Sequence, residues 1–132
     1  MKMVTIRQSV TLRATPAQVY DAWLDSKKHS AFTGDTAVMT RKPGGEFSVF
    51  SGYVNGKNLS LDKDKSIVQL WHFAEKGWPE GHYSTCSVSL SAVPGGTRLT
   101  LVQRDVPDVA AENLKLGWKK YYWSPMKDYF AG

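Results

Sequence analysis

The sequence predicts an α+β fold in which a mostly antiparallel sheet packs against helices. Three observations support this prediction. Apolar and polar residues alternate in several segments, turn-forming residues recur at intervals of roughly ten residues between them, and the apolar period becomes helical after Pro107. The chain has 132 residues and no internal repeat. We therefore expect one continuous domain over residues 1–132.

The first predicted strand covers residues 4–12, where Val4, Ile6, Val10 and Leu12 alternate with polar residues. The motif Thr15-Pro16-Ala17-Gln18 follows this strand. It places a hydroxyl at the N-cap, proline at the first helical position and glutamine three residues after the cap. A short helix is expected there.

A second short helical segment is expected around residues 26–32. It would form a helical pair with the first helix, on which Val19 and Trp23 are four residues apart. The prediction is therefore two short helices directly after strand one.

The middle of the chain is divided by Pro43-Gly44-Gly45, Asn55-Gly56 and Pro94-Gly95-Gly96, which we interpret as hairpin turns. The β-prone runs between and around them predict a meander of strands. These runs are 46–50, 53–61, 66–73, 82–93 and 97–104.

Alternation in the later strands predicts a concave apolar wall. The residues expected on its inner face are Ile67, Gln69, Trp71, Phe73, Cys86, Val88, Leu90, Leu99 and Leu101.

A long C-terminal helix is predicted after Val106-Pro107, with Asp108 as its expected N-cap. Its apolar residues recur at spacings of three and four, as on one face of a helix. They are Leu114, Trp118, Tyr121, Tyr122 and Tyr129. Pro125 removes one helical hydrogen bond and is expected to kink the helix.

Composition and termini predict a cytoplasmic globular protein. Apolar residues make up 42% of the chain, and no segment resembles a signal peptide or a membrane span. The single cysteine, Cys86, cannot form an internal disulfide and is compatible with a reducing compartment. The net charge of +5 favours acidic partners without selecting among them.

The sequence contains no pattern typical of a catalytic, metal or nucleotide site. It has neither GxGxxG nor GxxxxGK[ST], and the segment from Asp62 to Ser66 lacks the glycine of a calcium loop. The three histidines lack metal-ligand spacing. Cys86 has the position of a core residue, and no paired carboxylates can be inferred. We expect no catalytic residue, no metal and no cofactor.

Several motifs, in order along the chain, resemble the C-terminal domain of the activators of the 90-kilodalton heat-shock protein ATPase. They are Thr15-Pro16-Ala17-Gln18-Val19-Tyr20, Gly44-Gly45-Glu46-Phe47, Gly52-Tyr53-Val54-Asn55-Gly56, the run 67–73, Trp78-Pro79-Glu80-Gly81-His82-Tyr83 and Gly117-Trp118-Lys119-Lys120-Tyr121-Tyr122. The run from Trp78 to His82 is the most specific of them. Two features depart from the family pattern. His72 stands where an arginine is usual, and Ser124-Pro125 alters the last helix.

The resemblance implies a START-like fold of the helix-grip (birch-pollen-allergen-like) type. In this fold a curved sheet of about six to seven strands surrounds a long C-terminal helix. It also implies a co-chaperone that binds the heat-shock protein 90 chaperone and stimulates its ATPase, with no nucleic acid and no membrane insertion.

Two alternatives remain from other branches of the superfamily. One is a carrier or sensor that binds an apolar small molecule between sheet and helix, and the other is an enzyme acting on apolar substrates. The expected lining of such a cavity is Trp71, Phe73, Leu99, Leu101, Trp118 and Tyr122.

Overall fold

The computed structural model describes residues 2–131 and shows an α+β fold with one curved antiparallel sheet. Its strands are β1 (Met3–Leu12), β2 (Glu46–Val49), β3 (Val54–Asp62), β4 (Ser66–Phe73), β5 (Ser84–Val93) and β6 (Gly96–Pro107). Its helices are α1 (Pro16–Leu24), α2 (Ser26–Thr33), α3 (Asp108–Trp118) and α4 (Ser124–Ala131), and a π-helical turn (Lys119–Trp123) joins the last two. The predicted helix-grip architecture is confirmed.

The sheet order is β1-β6-β5-β4-β3-β2, and every neighbouring pair is antiparallel. The strands from β2 to β6 form a meander, while β1 pairs with β6 from the other end of the sequence. The predicted hairpin at Pro94-Gly95-Gly96 is present, because Val93 pairs directly with Gly96. The segment from Asp62 to Ser66 forms the turn between β3 and β4.

The predicted capping box of α1 is also present. The Thr15 hydroxyl accepts a hydrogen bond from the Gln18 backbone N–H, and the Gln18 side chain accepts one from the Thr15 N–H. α2 begins directly afterwards, with Asp25 as its N-cap. The two short helices therefore start at side chains that satisfy their free backbone donors.

The prediction of a hairpin turn at Asn55-Gly56 is wrong, because both residues lie inside β3. The β2–β3 connection is instead made by residues 50–53, of which Phe50, Ser51 and Gly52 have positive φ. A Cβ atom on Gly56 would lie 1.9 Å from the Leu70 carbonyl oxygen. Glycine is required there by close packing and not by a turn.

The C-terminal helix differs from prediction in two details. Asp108 is the first helical residue and not the N-cap, which is Pro107. Near Pro125 the helix contains the π-helical turn, in which the Ser124 N–H donates to the Lys119 carbonyl. Proline has no backbone N–H, so a carbonyl oxygen in the preceding turn loses its helical donor. A π-helical turn before the proline accommodates this loss. The predicted long C-terminal helix is confirmed as a continuous helical segment over residues 108–131, in which this turn joins two α-helical parts.

The core lies between the concave face of the sheet and the helices. The predicted inner face is confirmed, since the nine residues expected there are all buried. Among residues 2–131, no helix is long and apolar enough to cross a membrane.

Candidate functional site

The interior between sheet and helices contains hydrogen-bonded indole rings. Gln69, fully buried on β4, accepts hydrogen bonds from the indole N–H groups of Trp23 and Trp71 at 3.1 and 3.0 Å. Its amide then donates to the Asn58 side chain at 2.9 Å. A polar side chain is accommodated at this core position because Gln69 accepts the hydrogen bonds of two buried indole N–H groups.

A second buried glutamine repeats this arrangement on β6. The Trp118 indole donates to the Gln103 side-chain oxygen at 2.8 Å, and the Gln103 amide donates to the Ser84 hydroxyl at 3.0 Å. This network fixes the C-terminal helix to the middle of the sheet.

Aromatic rings fill the space where the carrier alternative requires a cavity. Ring centroids of Trp71 and Trp118 are 5.1 Å apart, and those of Trp118 and Tyr122 are 4.9 Å apart. The ring centroids of Trp23 and Tyr122 are 5.2 Å apart. The structure therefore does not favour an apolar ligand enclosed between sheet and helix.

An open cleft of about 570 Å³ lies beside this aromatic core, between the C-terminal helix, the β2–β3 turn and the end of β4. This volume is within the range of small-molecule pockets. The lining consists of Asp35, Phe50, Tyr53, Val54, Trp71, Phe73, Glu75, Asn113, Leu114, Leu116, Gly117, Trp118, Lys120, Tyr121 and Tyr122.

Four of the six residues predicted to line a cavity border this cleft, namely Trp71, Phe73, Trp118 and Tyr122. Each is at most 6% exposed, so the cleft reaches only their edges. The other two, Leu99 and Leu101, are completely buried and do not line it. They lie on β6, which is near the opposite end of the sheet from β2 and β3.

The mouth of the cleft is apolar and exposed. We call Tyr53, Leu116 and Tyr121 the cleft rim; they are 41%, 67% and 48% exposed. Exposed apolar side chains gathered at one concave place are typical of a binding surface. The stripe on the C-terminal helix had indicated Tyr121, but neither periodicity nor composition indicated Leu116 or Tyr53.

The two carboxylates of the cleft come from loops. Asp35 accepts hydrogen bonds from the Ser51 hydroxyl at 2.6 Å and the Thr36 N–H at 2.7 Å, which hold the pKa of its carboxyl below the usual value. Glu75 is contacted by the Asn113 amide at 3.4 Å. The pKa of Tyr53 is raised by partial burial and by the negative charge of Glu75.

The most specific motif of the sequence fixes the loop that carries Glu75. The Trp78 indole donates to the His82 carbonyl at 2.7 Å, and the His82 imidazole donates to the Asp105 carbonyl at 2.7 Å. The Trp78 N–H donates to the Glu75 carbonyl at 3.0 Å. The motif thus has a structural role that positions one wall of the cleft.

Neither Cys86 nor His29 lines the cleft. Cys86 is buried in the core, where burial raises the pKa of its thiol. His29 is also fully buried, between α1 and the C-terminal helix. Within residues 2–131, no group of three or more His, Cys, Asp or Glu side chains has the geometry of a metal site.

The comparisons with known proteins agree on one family. A sequence model described as "Activator of Hsp90 ATPase homolog 1-like protein" matches residues 13–131. The human protein named activator of 90 kDa heat shock protein ATPase homolog 1 is 31% identical over 128 residues. That alignment covers 97% of this chain and 37% of the human protein, so the chain spans little more than a third of its relative.

Solved structures share the whole fold. The crystal structure of an HSP90 activator from Plasmodium falciparum superposes with a TM-score of 0.85 at 25% identity, covering 96% of each chain. A protein from Chromobacterium violaceum superposes with a TM-score of 0.79 at 25% identity, covering 97% of each chain.

Proposed function

The chain belongs to the family of Activator of Hsp90 ATPase homolog 1-like proteins, and on this premise we propose that it is a co-chaperone. It binds a chaperone of the heat-shock protein 90 class and stimulates the chaperone's ATPase. The observation that carries this proposal is the match to a named HSP90 activator over 96% of both chains. The activity is proposed for this chain alone, although it spans 37% of the human relative's length.

The cleft rim supports a binding role. Leu116 is two-thirds exposed on the C-terminal helix, and Tyr53 and Tyr121 flank the same opening. Tyrosine at the centre of an interface contributes large contact area at low conformational cost. We propose that the rim forms part of the surface that contacts the chaperone.

Stimulation requires no catalytic residue in this chain. A binding protein raises an ATPase rate when it binds the hydrolysing conformation of the enzyme more tightly than the resting one. Consistent with this, the titratable residues of the cleft are two carboxylates, three tyrosines and one lysine, without a cysteine or histidine nucleophile. We therefore propose that the chain is not an enzyme itself.

The net charge of +5 supports electrostatic steering toward an acidic chaperone surface. We propose a cytoplasmic location for this encounter, and the free, buried thiol of Cys86 is compatible with a reducing compartment.

The test is the ATPase rate of a purified heat-shock protein 90 chaperone at low salt, with and without this chain. We expect a saturable increase in rate and measurable binding. Leu116→Ser should weaken binding by roughly tenfold if this side chain is buried in the complex. Because Leu116 is exposed in the free chain, its replacement should leave the fold unchanged.

Leu59→Ser is the matched control. Leu59 is 45% exposed on β3 and does not line the cleft, so its loss should not affect binding. The proposal of chaperone binding is wrong if the unmodified chain neither binds nor changes the rate. The placement of the interface is wrong if both leucine variants behave alike.

A further inference from the structure

Four of the five arginines of the chain lie on the outer face of the sheet, at the side formed by β1 and β6. They are Arg7 in β1, Arg13 directly after β1, and Arg98 and Arg104 in β6. All four are exposed, because side chains alternate between the two faces along a strand and the inner face packs on the core. Arg13 follows the same alternation, since Leu12 and Ala14 on either side of it are buried. We call these four residues the arginine face.

The strand register groups the arginine face into two pairs. Arg7 is directly opposite Val102, so Arg104, the next outward residue of β6, is its diagonal neighbour. Arg98 and Arg13 are related in the same way at the other end of the two strands. Diagonal neighbours in an antiparallel pair are about 7–8 Å apart. The two pairs are separated along the strands by about 20 Å.

The arginine face has little compensating negative charge around it. Strands β1, β5 and β6 contain one acidic residue, Asp105, near the end of β6. None of the ion pairs found within residues 2–131 includes a member of the arginine face. Positive charges at these distances repel each other in the free chain, and an anion that binds between them relieves the repulsion. The charge of this surface therefore fits an acidic partner.

The residues between the two arginine pairs are small and polar. Ser9 and Thr100 lie opposite each other on β1 and β6, and Ser89 continues this row on β5. Side chains of this size do not rise far above the sheet, and their hydroxyl groups can both donate and accept hydrogen bonds. An extended chain can therefore lie along the outer face and contact both arginine pairs.

The composition of these strands indicates which kind of anion the arginine face fits. β1, β5 and β6 contain no Phe, Tyr or Trp, so the bases of a single-stranded nucleic acid find no ring on which to stack. None of the exposed large apolar side chains belongs to these three strands, so they offer a membrane no apolar anchor. Arginine binds carboxylates through two parallel hydrogen bonds, and this chemistry requires neither stacking nor insertion.

We propose that the arginine face binds an extended, acidic segment of a partner protein. In such a segment, side chains at alternate positions point to the same side and are about 7 Å apart, which matches the spacing within each arginine pair. A stretch of about seven residues spans the distance between the pairs. No member of the arginine face lines the cleft. The inference is therefore independent of the proposed contact between the cleft rim and the chaperone.

The test measures the fluorescence anisotropy of a labelled decapeptide of alternating glutamate and serine, mixed with the whole chain at low salt. We expect saturable binding that weakens as salt is added, because the contacts are between exposed charges. A decapeptide of alternating glutamine and serine should not bind. Hexathymidylate, which carries a similar number of negative charges, should bind more weakly than the acidic peptide, because the arginine face offers its bases no stacking.

Two double variants locate the site. Arg7→Gln with Arg104→Gln removes one arginine pair, and Arg13→Gln with Arg98→Gln removes the other. Each double variant should weaken binding of the acidic peptide by roughly tenfold. Because these side chains are exposed and form none of the ion pairs within residues 2–131, their replacement should leave the fold unchanged.

Lys63→Gln with Lys65→Gln is the matched control, because it removes the same charge from exposed residues in the turn between β3 and β4. This control should leave binding nearly unchanged. The proposal is overturned if the acidic peptide does not bind, or if the lysine control weakens binding as much as the arginine variants do. It is also overturned if hexathymidylate binds more tightly than the acidic peptide, since the surface would then fit a nucleic acid.

Discussion

His29 shows how one buried polar residue links three elements. Its Nδ1 lies 2.8 Å from the Trp23 carbonyl oxygen, which can only accept, so Nδ1 carries the proton. Burial lowers the pKa of His29 to about 4, so the ring is neutral and Nε2 is an acceptor. The Tyr122 hydroxyl therefore donates to Nε2 at 2.9 Å. α2 is thereby bonded both to the end of α1 and to the π-helical turn.

This pKa predicts that acid weakens the fold. The unfolded chain's His29 takes up a proton below about pH 6.5, while the folded chain's His29 does so only near pH 4. The unfolded state therefore binds more protons between these values, and the free energy of unfolding falls as the pH is lowered. The difference between the unfolded and folded pKa values of His29 corresponds to a loss of about 3 kcal/mol in the free energy of unfolding. Urea unfolding across this pH range measures it.

Two variants separate this titration from that of the carboxylates. His29→Asn cannot take up the proton, so its stability should be lower at neutral pH but should decline less on acidification. Tyr122→Phe removes the hydroxyl donor and keeps the imidazole, so it should retain the steep decline. If His29→Asn and the unmodified chain have the same slope, His29 does not control the pH dependence.

At the scale of elements, two glycines serve opposite purposes. Gly56 lies inside β3, where a Cβ would approach the Leu70 carbonyl and, at 2.6 Å, the Phe47 ring. Gly117 lies inside α3, where a Cβ would make only an ordinary van der Waals contact, 3.9 Å from the Tyr121 ring. Only the first is required by packing.

Alanine substitutions should distinguish these roles. Gly56→Ala overpacks the sheet and should lower the free energy of unfolding by about 2 kcal/mol. Gly117→Ala should raise it by about 0.5–1 kcal/mol, because glycine is a poor helix former. Chemical denaturation of the two variants and of the unmodified chain measures whether each substitution lowers or raises the free energy of unfolding. A loss of stability in Gly117→Ala would show that the helix needs glycine for another reason.

Periodicity predicted the elements well because it reports burial directly. The alternation at Ile67, Gln69 and Trp71 was sufficient to locate β4 and its inner face. Local turn preference was less reliable. Asn55-Gly56 favours a turn in isolation, but the packing of the Phe47 ring on Gly56 places it in a strand. The nearby Ser51-Gly52 pair marked the real turn and was a usable signal.

At the scale of the whole molecule, the candidate site was only partly predictable. Trp71 and Trp118 could be assigned to the interior from alternation and from the helical stripe. Leu99 and Leu101 satisfy the same pattern, yet the order of strands places them away from the cleft. Glu75 reaches the cleft only through the tertiary contacts of its loop. Sequence pattern identifies a buried face but not which part of that face borders an opening.

Strand β1 makes the sheet depend on residues far apart in sequence. It precedes the segment matched by the family model, which begins at residue 13. It nevertheless pairs with β6 from Met3 to Leu12 and buries Ile6, Val10 and Leu12 in the core. Gln8 also accepts a hydrogen bond from the Trp123 indole at 2.7 Å. Strand β1 therefore contacts both the sheet and the C-terminal helix.

Deletion of residues 1–12 should abolish cooperative unfolding. The three buried side chains contribute about 6 kcal/mol together, which is comparable with the entire stability of a typical domain. The deletion also exposes the long edge of β6 and favours aggregation.

A variant with Thr5, Arg7 and Thr11 all replaced by serine is the control, because the replacement of these exposed residues leaves the backbone pairing and the core intact. Thermal unfolding followed by circular dichroism should show a cooperative transition for the control and none for the deletion. A cooperative transition in the deletion variant would mean that the segment from residue 13 folds without β1.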